Sequence, residues 1–175
     1  KSRAFSTNRV WLPAAAGVSR PVRDGRTGGG PQTDKTRLLM ERIIQKASEL
    51  LKRCQAVTFA TVNGEGFPRP VPVKTLRTDD ALTIWFATGI DSEKVAHIRR
   101  NMRTGASFYD RDDSVSLIGH AEVVTDPETL RDMWQPWLEA HFPGGPSDAN
   151  YCLIKFTPGE GAFCLEGEFV KFRLA

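Results

Sequence analysis

One stretch of the chain repeats its apolar residues with a helical period. Met40, Ile43, Ile44, Ala47, Leu50 and Leu51 fall at i, i+3, i+4 and i+7 spacing, which predicts an amphipathic helix starting near Met40. Past Cys54 the pattern becomes that of strands. Ala56–Val62 is rich in β-formers and ends at Asn63-Gly64-Glu65-Gly66, a hairpin turn signal. Arg69–Leu76 follows, with Pro68, Pro70 and Pro72 at alternate positions. A proline has no N–H for a ladder, so this strand is an edge or leaves its amide side free for something else. Leu82–Ala87, with Ile84, Trp85 and Phe86, reads as a buried strand. Asp91–Asn101 reads as a short helix capped by Asp91 or Ser92. Ala106–Tyr109 and Val115–Val124 predict a second hairpin, joined through Asp110–Ser114. Pro127 opens a helix carrying Leu130, Met133, Trp134, Trp137 and Leu138. Phe142-Pro143-Gly144-Gly145-Pro146 closes it as a rigid loop, and two strands, 151–157 and 162–172, end the chain. Six or seven strands with two or three short helices predict a mainly β fold, an antiparallel barrel and not a doubly wound sheet.

Composition narrows the class. The 175 residues suit one domain with a single core, and 40% apolar with 26% charged residues is ordinary for a globular protein. No apolar run reaches the roughly 20 residues that cross a bilayer. Cys54, Cys152 and Cys164 are an odd number without a Cys-x-x-Cys, which argues against a disulfide framework and a zinc site and fits a reducing compartment. The formal charge of +3 is unevenly spread. Residues 1–39 carry eight Lys/Arg against Asp24 and Asp34, a net +6, which leaves residues 40–175 at −3. The body is thus not a usual nucleic-acid surface. The expected organisation is a basic, Gly/Pro-rich and poorly ordered extension over 1–39, then one domain over 40–175.

The stretch from Arg69 to Lys94 holds the candidate chemistry. Thr88-Gly89-x-x-Ser92-x-Lys94 brings a strand end into a helix start, where hydroxyls, backbone N–H groups and a cation suit a phosphate. Arg69 and Lys74 add two cations on the preceding strand. Their odd offset puts them on opposite faces of a regular strand, so both serve one ligand only if the strand twists, bends or is sandwiched by it. Other chemistries are disfavoured. There is no Gly-x-Gly-x-x-Gly, Walker loop or Gly-x-Ser-x-Gly elbow, and His97, His120 and His141 lack metal-ligand spacing. Cys54, after Lys52-Arg53, is a candidate nucleophile or an ordinary buried thiol. Trp134 and Trp137, three apart on one helix face, read as core or interface packing, with ligand stacking as the alternative.

The order of these motifs resembles the FMN-binding split barrel of the pyridoxamine 5′-phosphate oxidase-like superfamily. The resemblance rests on Ala60-Thr61, Pro68-Arg69-Pro70-Val71-Pro72-Val73-Lys74, Trp85-Phe86-Ala87-Thr88-Gly89 and Asp91-Ser92-Glu93-Lys94 with Ile98 and Asn101. Ser114–Val124, Trp134, and Phe142–Pro146 followed by Tyr151 are similar to its general stress protein branch. It spans about residues 40–172. It implies a Greek-key split barrel and a cytoplasmic homodimer with FMN, or FAD, at the subunit interface. By position it implies that Arg69 binds the flavin phosphate or ribityl chain and that Pro70 and Val71 lie along the ring. Ala87, Thr88 and Gly89 would meet the cofactor, and Ser92 and Lys94 would clamp its phosphate. Lys74 would face a substrate phosphate, and Ser114 of the second subunit would touch the ring. Two departures matter: Glu93 stands where the oxidase has an arginine, and the oxidase's C-terminal Arg-x-His segment is missing. Weaker FMN binding and no true pyridoxamine-phosphate oxidation follow. The resemblance implies a flavin-dependent oxidoreductase of unidentified substrate, or a non-catalytic flavin-binding, storage or sensing protein. It names no metal and no catalytic acid or base.

Overall fold

The computed structural model describes residues 31–79 and 82–174. What is expected of residues 1–30 lies outside them. Helix α1 runs Pro31–Arg53, so the predicted start at Met40 is corrected. The apolar stripe marks only the half of the helix that packs, with Ile43, Ala47, Leu50 and Leu51 buried. Residues 34–39 before it are exposed, and Arg37 makes i,i+3 and i,i+4 ion pairs with Asp34 and Glu41. Such pairs support a helix without any apolar period.

Strands β1 (Val57–Val62) and β2 (Pro68–Val73) form the predicted hairpin. The Asn63 N–H donates to the Phe67 carbonyl at 2.9 Å, and the Asn63 side-chain oxygen accepts the Glu65 and Phe67 N–H groups. Then come β3 (Arg77–Thr78), β4 (Ile84–Gly89), helix α2 (Glu93–Arg100), β5 (Arg103–Asp110), β6 (Asp113–Val124), helix α3 (Pro127–Asp132), β7 (Tyr151–Leu165) and β8 (Glu168–Arg173). They form one antiparallel sheet in the order β2-β1-β5-β6-β7-β4-β3, with β8 also on β7. The sheet curls into a half-barrel, mainly β as expected.

Two predicted elements change. The strands expected at 151–157 and 162–172 are one continuous β7 followed by a short β8. The register against β6 shifts between Ile118 and Gly119, which face Glu160 and Pro158, so Gly159 is accommodated as a bulge and not as a turn. The approach is close enough that a Cβ on Gly119 would meet the Thr157 carbonyl oxygen at 2.1 Å. The helix expected from Pro127 through Leu138 stops at Asp132 and resumes as a 3-10 segment, Pro136–Ala140. Pro136 is the cause, because its ring pushes the preceding Gln135 into extended backbone, φ −125° and ψ 141°. Trp134 and Trp137 therefore share no helix face.

The main core fills the inner sheet face beneath α1. Phe59, Phe86, Phe156 and Phe163 are fully buried there, with the Phe59 and Phe86 rings 4.9 Å apart. A second cluster, Trp85, Leu130, Leu138, Phe142, Tyr151 and Leu153, packs α3 and the 3-10 segment against the sheet.

The barrel stays open along one seam. β3 pairs only with Ile84 and Trp85, so among the described residues no strand lies beside Phe86–Gly89 on that side, and β2 is the other end of the sheet. The prolines explain why. Pro68, Pro70 and Pro72 pair with Val62, Ala60 and Thr58, but without an N–H they cannot occupy hydrogen-bonded pairs. Arg69, Val71 and Val73 make the ladder to β1. The outward positions of β2 then present carbonyls and no donors.

Candidate functional site

The end of the seam is where the predicted phosphate residues meet. Thr61 is 2% exposed on the inner face of β1, and Arg69 pairs with it on β2, so both face inward toward α2. The Thr61 hydroxyl lies 2.9 Å from His97 Nδ1. The Arg69 Nη2 donates to Glu93 Oε2 at 3.5 Å. Arg100 lies over the hairpin turn, near enough that a Cβ on Gly64 would meet its Nη1 at 2.2 Å. Glu93, His97 and Arg100 thus form one stripe of α2, at i, i+4 and i+7, turned toward β1 and β2.

The hydroxyls come from β4 and the helix start. Thr88 is buried, and its Oγ1 is 3.3 Å from Ser92 Oγ. Ser92 is the N-cap residue in backbone conformation, but its side chain makes no cap bond, since the hydroxyl is turned to Thr88. Of the two expected caps Ser92 thus holds the N-cap position, without the side-chain bond, and Asp91 lies one residue before it. Among the described residues no hydrogen bond takes the Glu93 and Lys94 N–H groups, while those of Val95 and Ala96 reach the Ser92 carbonyl. The helix start therefore offers free donors and its positive dipole end to an anion. Asn150 holds the connecting loop, accepting the Ile90 N–H at 2.7 Å on its carbonyl and the Asp91 N–H on its side-chain oxygen. A Cβ on Gly89 would press on the Asp91 carboxylate at 2.8 Å and on the Asn150 amide at 3.1 Å. Asn150 belongs to no motif; only the register of β4 on β7, Gly89 opposite Tyr151, brings it there.

Beneath Thr88, the Cys152 thiol donates to the Thr88 carbonyl at 3.4 Å. Burial pushes this thiol up to about 11, against the opposing pull of the Arg99 and Lys94 cations. Burial likewise raises the neighbouring Tyr151 phenol to about 12. Both groups stay protonated at neutral pH. Cys54, near the other end of the sheet, is raised by burial first and by the Asp110 carboxylate second, which is the opposite of nucleophile activation.

The structure brings Arg69, Thr88, Gly89, Ser92 and Lys94 to one end of the seam. Pro70 and Val71 lie along β2, Pro70 exposed and Val71 half-buried opposite Phe59. Ala87 turns the other way from Thr88, into the second core cluster. Lys74 lies past the end of β2 with its Nζ 4.2 Å from the Trp137 ring centroid. The two strand cations thus part company, as their odd offset requires. Ser114 is exposed on β6 opposite Cys164, whereas Thr88 faces Cys152. Within one chain these lie at opposite ends of β7. A groove of about 490 Å³ crosses the outer face, lined by Ala60, Val62, Pro68, Gly105, Ile118 and Gly159 among others.

Residues 43–172 match the family model described as "Pyridoxamine 5'-phosphate oxidase like". No curated protein sequence matches this chain. Among solved structures, the chain is similar to a Clostridium acetobutylicum protein related to general stress protein 26 of the pyridoxinephosphate oxidase family. That likeness has a TM-score of 0.68 at 21% identity over 76% of this chain and 95% of that one. General stress protein 26 from Bacillus anthracis gives 0.62 at 20% identity over 76% and 98%. A NimC/NimA family protein from Clostridium acetobutylicum gives 0.58 at 21% identity over 79% and 96%. Likeness at these identities concerns the fold.

Proposed function

The chain belongs to the pyridoxamine 5′-phosphate oxidase-like family, and we propose that it is an FMN-binding flavoprotein of the general stress protein type, a cytoplasmic flavin-dependent oxidoreductase. The observation that carries this reading is the end of the seam. Two hydroxyls, two unpaired helix N–H groups and the Arg69 and Lys94 cations surround a strand edge held open by prolines. That donor set fits a phosphate. In this reading Thr88, Ser92 and the start of α2 take the phosphate with Arg69 and Lys94. Gly89 keeps the approach clear, Pro70 and Val71 line the path of the ring, and Ala87, its side chain packed into the second cluster, offers only its backbone. A bound flavin would supply the redox chemistry, while these residues bind and orient it. Lys74, over the Trp137 ring, stands apart from the phosphate group as part of a substrate side.

A homodimer completes the site. The outer face of β2, β1, β5 and β6 carries Thr58, Ala60, Val62, the three prolines, Gly105, Ser107, Tyr109, Ser114, Ser116 and Ile118, with Arg103, His120 and Glu122 confined to one end of it. Tyr109 is 75% and Ile118 57% exposed. A face whose charges are confined to one end suits a second copy, which would bring its own Ser114 to the ring. FAD is the alternative cofactor.

Arg69→Ala with Lys94→Ala removes both cations and is expected to weaken FMN binding on the order of a hundredfold, two charge-assisted contacts at once. Fluorescence titration of FMN into the colourless protein measures it, and unchanged affinity overturns the site. One observation favours a second reading, flavin storage or sensing: Cys152 and Tyr151, beside the site, are both held in their inert protonated forms. Anaerobic mixing of the flavin-loaded protein with NADH or NADPH separates the two, since turnover supports the oxidoreductase and inertness to every reductant supports storage.

A further inference from the structure

We propose that Glu93 sets the charge selectivity of this site, disfavouring a dianionic phosphomonoester relative to a phosphodiester or an uncharged ligand end. The inference rests on the flavin reading and deepens it. Its basis is the Arg69–Glu93 pair. The guanidinium that stands nearest the open helix start is already engaged by a carboxylate of the same helix, at 3.5 Å.

Glu93 is the first residue of α2, followed at once by Lys94. Its backbone N–H is one of the two free donors of the helix start, so an anion taken there lies next to the Glu93 side chain. At the helix start the cations of Arg69 and Lys94 meet two carboxylates, Glu93 and Asp91, while Arg99 and Arg100 lie in the last turn of α2. A phosphomonoester brings close to two negative charges at neutral pH, whereas a phosphate in diester linkage carries one. Repulsion by the carboxylate scales with ligand charge, so it weighs about twice as heavily on the monoester. The monoester must also draw Arg69 away from its present partner. Both partners are largely exposed, at 57% and 78% of their side chains, so the pair is weak enough to open on binding. The stripe turns Glu93 toward β2: His97, one turn on, is within hydrogen-bond distance of Thr61, and Arg100, a further turn on, lies against the hairpin turn.

An acid at the first helical position also favours the helix dipole, whatever binds there. A purely structural role of that kind would affect every ligand alike. The test therefore compares three flavins that share a ring: FMN, FAD and riboflavin, each titrated into the full chain and into Glu93→Gln at low salt. Glu93→Gln is expected to tighten FMN on the order of tenfold, for one unit of repulsion removed at a partly exposed site. FAD, whose two charges are shared between two phosphates so that only one sits beside Glu93, should gain less, and riboflavin should change by less than about twofold. In the Arg69→Ala background the FMN gain should shrink, because the competition for the guanidinium is gone. Equal changes for all three flavins, or none, would overturn the proposal while leaving the flavin reading in place. Uptake of no flavin by either form would overturn both.

Discussion

Cys152 shows how one side chain reports on the floor of the candidate site. Its thiol is fully buried and bound to the Thr88 carbonyl, and burial lifts it to about 11 from an ordinary 9.0. Between those values the folded chain keeps a proton that the unfolded chain has lost. Stability from this group is complete below 9.0 and is lost as pH rises toward 11, on the order of 2 kcal/mol. Urea unfolding across that interval should show the decline, and Cys152→Val should remove the part below pH 10, leaving above it the share that the raised Tyr151 phenol contributes. The native thiol should also resist iodoacetamide at neutral pH, where mass spectrometry would find Cys54 modified first, its side chain being only half-buried. Prompt alkylation of Cys152 would contradict the burial argument.

At the level of elements, β2 decides whether there is a site at all. Its three prolines leave the seam-facing positions without donors, so β2 cannot zip onto the unpaired half of β4. Pro70→Val with Pro72→Val restores two N–H groups on that edge. Each proline removed costs about 0.4–1 kcal/mol through the freer unfolded chain, and each new ladder bond returns about as much. Stability should therefore move little. Hydrogen exchange should show new protection at Phe86–Gly89, and FMN uptake should fall at least about tenfold as the edge is covered. Native exchange with full FMN uptake would show that something other than proline holds the seam open. The break before Pro136 has a similar cause, and its result is to set Trp137 beside Lys74 while Trp134 packs edge-on against Tyr151 at 5.2 Å.

For the whole molecule, the placement of Ser114 is the informative fact. It faces Cys164, at the other end of β7 from Cys152 and Thr88. A role at the same ligand thus requires a second chain, as the proposed dimer provides. Ser114→Trp should block the ring position, and Arg69→Ala should disable the phosphate position. Mixed and re-annealed, the two inactive variants should regain roughly a quarter of the FMN sites, because half of randomly formed dimers carry one intact site. Sedimentation should give twice the chain mass throughout. No regained binding would place Ser114 outside the site.

Much of this was legible along the chain because it is written in local chemistry. The Asn-Gly hairpin, the alternate prolines, the strand end Thr88-Gly89 and the helix start at Ser92 each follow from residues close in sequence, and with them came the fold class and the family resemblance. The odd offset of Arg69 and Lys74 already implied two destinations. What local pattern could not show was the outcome of contacts between distant residues. The helix before Met40 is held by ion pairs, which leave no apolar period. Strand β7 runs through Pro158 and Gly159 because β6 accepts a bulge at Gly119. Asn150 reaches the site only through the register of β4 on β7, and Glu93 meets Arg69 only because α2 folds back over the hairpin. Periodicity and turn chemistry act over a few residues, so the sequence alone determined the elements and their types. Register, the open seam and the pairing of charges across it depend on which strands meet, and only the tertiary structure decided those.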